Sequence, residues 1–195
     1  MKIKDIQFVK SIFIDDDKIM FDKEKEIIFI WRSNVWKSSI MNAIFNKKDL
    51  VKTSSKPGKT KTANLFLMNN KYYFTDLPGY WFAKLWKEFL EKLDALNSWY
   101  ISERSKAIKN VVLLVDTKIW LQQKDIEMFN YVQKHKIPVI VVLSKIDRLS
   151  KSEVAKAKAY VESELFGQKV IPVSAHKKTW IPELFKELSM SLEEK

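Results

Sequence analysis

Three runs, "EIIFI" at 26–30, "VVLLVD" at 111–116 and "PVIVVLS" at 138–144, are almost unbroken in Val, Ile, Leu and Phe. They constrain the fold more than any other feature. A strand apolar on both faces must be covered on both, the condition of a parallel strand inside a sheet flanked by helices. Weaker strand candidates are "NLFLM" (64–68), "YYFTD" (72–76) and "KVIPVS" (169–174). Only "NNK" separates 64–68 from 72–76, so that pair reads as an antiparallel hairpin. Between strands the apolar period lengthens to three and four. Leu85, Phe89, Leu93, Leu96 and Tyr100 form one stripe, and Ile181, Leu184, Phe185, Leu188 and Leu192 another. Ser150 and Glu153 have the spacing of a capping box that opens a helix. The alternation predicts a three-layer α/β fold, with a mostly parallel sheet of about six strands, one of them antiparallel, and helices on both faces. A chain of 195 residues is filled by one such domain, with 1–25 as a short N-terminal extension.

Composition narrows the function classes. The absence of cysteine excludes disulfides, thiolate zinc sites and a cysteine nucleophile. No apolar run reaches the ~18 residues that span a bilayer, and the N-terminus has no signal-peptide pattern, so the expected setting is cytoplasmic, with no membrane. The 35 Lys and Arg against 24 Asp and Glu leave a net charge of +11, which attracts polyanions such as nucleic acid or simply keeps the surface solvated. Glycine is rarer than expected: three residues, against an average near 7% in globular chains, while tryptophan appears seven times.

The stretch "IWRSNVWKSS" at 30–39 would be a phosphate loop, G-x-x-x-x-G-K-[ST], if Trp31 and Trp36 were glycine. It follows a strand and opens the helical segment "SSIMNAIFNKK", where the helix N-terminus and free backbone N–H groups cradle phosphate oxygens. In such a loop Lys37 reaches the β- and γ-phosphates and Ser38 ligates Mg²⁺. "DLPGY" at 76–80 places Asp76 to hold the same ion through water and the Gly79 N–H to meet a γ-phosphate. "KPGKT" at 56–60 adds Thr60 from a long polar loop, 46–63. "SKID" at 144–147 supplies Asp147 for the N1 and N2 groups of guanine and the Lys145 stem to cover the base. "SA" at 174–175 offers the Ala175 N–H to guanine O6. Each string alone is more often a loop or a cap. Their order, each after its own element at one sheet edge, favours a nucleotide site.

With these residues in place the chain resembles the EngB family of P-loop GTPases, among the translation-factor-like GTPases. The likeness rests on "RSNVWKSSIMNAIFN", "TSSKPGKT", "DLPGYWFAK", "VVLLVD", "DIEMF", "IPVIVVLSKIDRLSKSE" and "VIPVSAHKKTWIPEL". It implies a Mg²⁺-dependent GTP-binding protein that hydrolyses GTP to GDP; a monomer is the expectation. The implied role is a switch in large ribosomal subunit assembly, binding the subunit or its precursor rRNA, needed for normal cell division and septation. Carried over residue by residue, the nucleotide contacts are Trp31, Arg32, Ser33, Asn34, Val35, Trp36, Lys37, Ser38, Ser39, Gly58, Lys59, Thr60, Asp76, Gly79, Ser144, Lys145, Asp147, Ser174 and Ala175. Lys37, Thr60 and Gly79 are the catalytic group among them, and Ser38, Thr60 and Asp76 the Mg²⁺ group. Asn34 stands where related GTPases bind K⁺, or else braces the loop. Tyr80 occupies the position at which Ras-like enzymes orient water with a glutamine, a task a phenol does not perform in the same way.

Against that family pattern Trp31, Trp36, Trp81 and Trp180 stand at glycine positions and Trp120 near one. One replacement recurring at glycine sites points to UGA codons read as glycine by the cell and printed as tryptophan. If the tryptophans are real, the alternative is an RNA-binding scaffold with a damaged nucleotide site. An ATP-using P-loop enzyme is the third reading, which Asp147 disfavours.

Overall fold

The computed structural model describes residues 1–14, 25–32, 37–48, 50–51, 62–80 and 87–194, apart from the side chains of Lys87 and Phe89. Its seven strands are β1 (Ile6–Ile12), β2 (Glu26–Trp31), β3 (Ala63–Met68), β4 (Tyr72–Asp76), β5 (Ile108–Asp116), β6 (Val139–Ser144) and β7 (Val170–Val173). Its five α-helices are α1 (Lys37–Ile44), α2 (Lys87–Arg104), α3 (Gln123–Lys134), α4 (Lys151–Glu164) and α5 (Ile181–Glu193). The strands form one sheet in the order β1-β3-β4-β2-β5-β6-β7. β3 alone runs against its neighbours, pairing antiparallel with both β1 and β4, while β4, β2, β5, β6 and β7 are parallel.

The six strands predicted from the sequence are all present, and β1 is an addition. Residues 6–12 are therefore the edge strand of the sheet and not simply an extension. Its signal is weak because an edge strand with one partner needs little burial: only Ile6 and Ile12 are covered, and Phe8 is 53% exposed. A register shift between Phe8 and Lys10 also breaks the period of two.

Side chains alternate across the sheet and divide the core in two. Ile28 and Ile30 of β2 with Val111, Leu113 and Val115 of β5 face α2, α3 and α4; Ile27 and Phe29 with Val112 and Leu114 face α1 and α5. The predicted stripes supply the helical halves. Leu93, Leu96 and Tyr100 of α2 are buried, whereas Leu85 and the Phe89 side chain lie outside the described residues. Ile181, Leu184, Leu188 and Leu192 of α5 are buried, with Phe185 packed beside them. Ser150 and Glu153 close the expected capping box at α4, the Ser150 Oγ accepting from the Glu153 N–H at 3.3 Å. α1 stops at Ile44, short of the predicted 48, and Asn46 beyond it turns left-handed at φ 48°.

Candidate nucleotide site

The sheet's topology sets where a ligand can sit. β2 lies between β4 and β5, so the chain leaves it on opposite sides in its next two parallel pairings, and the crevice at the carboxyl ends of these strands is the switch point of the fold. The last residues of β2, the first turn of α1 and the segment after β4 meet there. Beyond the regular ladder the Leu77 N–H donates to the Phe29 carbonyl at 3.2 Å and the Tyr80 N–H to the Trp31 carbonyl at 3.0 Å, so 77–80 runs alongside the end of β2.

Lys37 begins α1 and is 7% exposed, and Asp76 ends β4 and is fully buried. Their side chains form an ion pair. Burial lowers the lysine's pKa and raises the carboxyl's, and each partner's charge partly restores the other. The second carboxylate oxygen, Asp76 Oδ1, is buried and makes no hydrogen bond of ordinary geometry among the described residues, the cross-strand Asn64 side chain giving the carboxylate only a weak contact. That orphaned acceptor, with the half-buried hydroxyl of Ser38 in the first turn of α1, is an oxygen donor set suited to a hard cation. Ser39 follows Ser38, equally half-buried.

Trp31 intrudes on this arrangement. Its ring lies under the Lys37 ammonium, 3.7 Å from nitrogen to ring centroid. Its Nε1 lies 2.6 Å from where a Cβ on residue 79 would stand, so only a glycine fits opposite it. The indole therefore occupies space between the lysine and the Gly79 loop, the two groups expected to converge on a γ-phosphate. Ser33, Asn34, Val35, Trp36, Gly58, Lys59, Thr60 and Trp81 lie outside the described residues.

Across the sheet edge, β5, β6 and β7 position a second cluster. Ser144 ends β6, buried, its Oγ donating to the Val115 carbonyl at 3.0 Å. Lys145 follows in the left-handed region at φ 65°, and its ammonium meets Asp116 Oδ2 at 2.5 Å. Asp147 accepts from the Ser174 Oγ at 2.7 Å, and this hydrogen bond holds its carboxyl below the ordinary range. Ala175 comes next, half-buried. Lys145, Asp147, Ser174 and Ala175, far apart in sequence, thus gather in one place.

Asp116 and Asp125 were missed by the sequence reading. The first ends β5 and fixes Lys145; a carboxylate closing an otherwise apolar strand run was its available signal. The second lies in the first turn of α3, buried, and pairs with Tyr80 and Arg32. Nothing in the local sequence distinguishes it from an ordinary helix-capping acid.

Comparison with known proteins places the chain. The family model described as "50S ribosome-binding GTPase" matches residues 26–145, more than half of the chain. A probable GTP-binding protein EngB from Kosmotoga olearia is 40% identical over 191 residues, covering 96% of this chain and 99% of that one. The EngB protein of Thermosipho africanus is 36% identical over 187 residues, covering 95% of each. The chain belongs to the EngB family. It carries a GTPase domain of that family, and the crystal structure of a probable EngB protein superposes with a TM-score of 0.74 at 24% identity, over 87% of this chain and 99% of that one. An Era structure with MgGDPNP and a 16S ribosomal RNA segment shares the fold, with a TM-score of 0.69 at 20% identity, over 88% of this chain and 57% of that one.

Proposed function

We propose that the chain is a single GTPase domain that binds GTP and GDP, hydrolyses GTP with Mg²⁺, and acts as a switch in assembly of the large ribosomal subunit, with cell division and septation dependent on it. The observation that carries this reading is the convergence of Lys37, Asp76 and Gly79 at one end of the sheet edge with Lys145, Asp147 and Ser174 at the other. A phosphate end and a guanine end are what a GTP site requires. Ser38, Asp76 and Thr60 would hold Mg²⁺, which supplies charge neutralisation for the phosphates. Lys37 and the Gly79 N–H would bear on the γ-phosphate as charge spreads over its oxygens. Tyr80 commits its hydroxyl to Asp125 and stands where Ras-like enzymes use a glutamine, so turnover without a ribosomal particle is slow, with Asn34 as the position for a helper K⁺.

The same reading holds glycine to be the residue made by the cell at 31, 36, 81, 120 and 180. Backbone geometry supports it where the chain is described. Trp120 and Trp180 are left-handed at φ 64° and 62°, which costs a bulky residue about 1–3 kcal/mol each. Trp31 presses on Gly79. Trp99, which is not among those five positions, sits in ordinary helix within α2. Peptide sequencing of the protein from its own host tests this directly: glycine is expected at all five positions, and UGG codons with indole in the peptides would refute it. The glycine form should bind labelled GDP and not ADP, and equal binding of both would refute the GTPase reading. Trp31 beneath Lys37 favours one alternative, a ribosome- or RNA-binding scaffold with a blocked nucleotide site, which indole-bearing peptides would support.

A further inference from the structure

Arg32, Tyr80 and Asp125 form a buried cluster that links three elements. Arg32 follows β2 at the mouth of the phosphate loop and is 8% exposed; Tyr80 follows Gly79 and is 2% exposed; Asp125, on α3, is 1% exposed. The Tyr80 hydroxyl donates to Asp125 Oδ1 at 2.8 Å, and the Arg32 Nε lies 3.6 Å from the same oxygen. That distance is an ion pair without a hydrogen bond, and the Nε has no hydrogen-bond partner among the described residues. Asp125 Oδ2 is occupied by the Gln122 N–H at 2.9 Å, the capping interaction at the start of α3. One carboxylate oxygen therefore serves α3 and the other serves both phosphate-facing segments.

The energetics favour a specific role over a casual contact. A guanidinium taken out of water without a countercharge costs several kcal/mol, so Asp125 is what allows Arg32 to be buried. Backbone contacts reinforce the coupling: residues 32 and 80 form a parallel bridge, and the Tyr80 N–H is held by the Trp31 carbonyl. Gly79 is thus clamped between Pro78, whose carbonyl accepts from the Asn97 side chain of α2 at 3.1 Å, and Tyr80, tied to α3. Burial pushes the Asp125 carboxyl up, and the Gln122 N–H, the Tyr80 hydroxyl and the Arg32 charge pull it back. Asn97, Tyr80 and Asp125 all lie outside the groups assigned to the nucleotide.

We propose that Asp125 is a positioning residue that, through Tyr80 and Arg32, sets the Gly79 segment against the end of β2, so that preference for triphosphate over diphosphate is governed from α3. It acts through the phosphate site and rests on the reading of that site given above. Diphosphate does not need the Gly79 N–H, whereas triphosphate does, so loosening Tyr80 weakens one and spares the other.

The test uses the glycine form of the full chain with Tyr80→Phe, Asp125→Asn and Asp125→Glu, and titrates GDP and a non-hydrolysable GTP analogue. Should the parent fail to bind either nucleotide, the assignment of the site is refuted before the variants are compared. With a binding parent, Tyr80→Phe is expected to weaken the analogue about five- to tenfold relative to GDP. Asp125→Asn should do the same, and Asp125→Glu, which keeps the charge, should recover part of the ratio. Tyr80→Phe removes one hydroxyl and keeps the ring packed, so it remains informative if Asp125→Asn does not fold. A purely structural cluster would lower melting temperature and leave the ratio of affinities unchanged, and that result would overturn the proposal.

Discussion

Asp147 is positioned by the Ser174 hydroxyl. Ser174 donates to its Oδ1, holding the carboxylate ionised, and in the proposed site a charged acceptor reads the N1 and N2 groups of guanine. Asp147→Asn replaces that acceptor with a group of mixed polarity. GDP binding by the glycine form should fall by about 2–3 kcal/mol, with preference moving toward xanthine nucleotide; unchanged guanine preference in a competition titration would contradict the assignment. Two buried phenols give a second expectation. Burial, then the neighbouring Asp125 and Glu26 carboxylates, keep the pKa values of Tyr80 and Tyr100 well above 10. A folded pKa raised above the unfolded one means the native state keeps protons that the unfolded chain releases. The contribution of these two phenols to stability is thus whole below pH 10 and falls as pH rises through it. Urea unfolding at stepped alkaline pH should show that decline, and Tyr100→Phe should flatten part of it. A parent whose stability does not change over this range would count against buried, protonated phenols.

At the scale of elements, the helix starts separate what is legible locally from what is not. The Ser150 box at α4 is readable because both partners lie within one turn and the hydrogen bonds are local. α5 begins differently: its N-cap is Trp180 at φ 62°, ψ 11°, with Pro182 in the first turn and no side-chain cap. A left-handed N-cap suits glycine. Trp180→Gly should therefore raise stability by about 1 kcal/mol in urea unfolding, whereas Trp99→Gly inside α2 should lower it by about that much or more. Equal losses from both would argue that Trp180 is native to its position. β1 shows the converse limit. Its strand character comes from pairing with β3, about fifty to sixty residues away, and the irregularity between Phe8 and Lys10 breaks the alternation that would announce "IQFVKSI" as a strand.

For the whole molecule, charge and layering point outward and inward respectively. The net +11 makes an RNA partner physically reasonable. If the proposed rRNA partner is right, affinity for it should fall linearly in log–log terms as salt rises, with a slope of about −0.9 for each duplex phosphate contacted, and a flat response would remove the electrostatic case. No helix among the described residues is long and apolar enough to cross a membrane. The sequence by itself determined the three-layer α/β plan and the order of nucleotide motifs, because strand burial and loop chemistry are written in local periodicity and short spacing. Tertiary structure alone decided that Asp116 holds Lys145, that Asp125 joins Arg32 to Tyr80, and that Trp31 stands between Lys37 and Gly79. Those pairings depend on which strand ends and helix starts the sheet order brings within a few ångströms, a distance that separation along the chain does not encode.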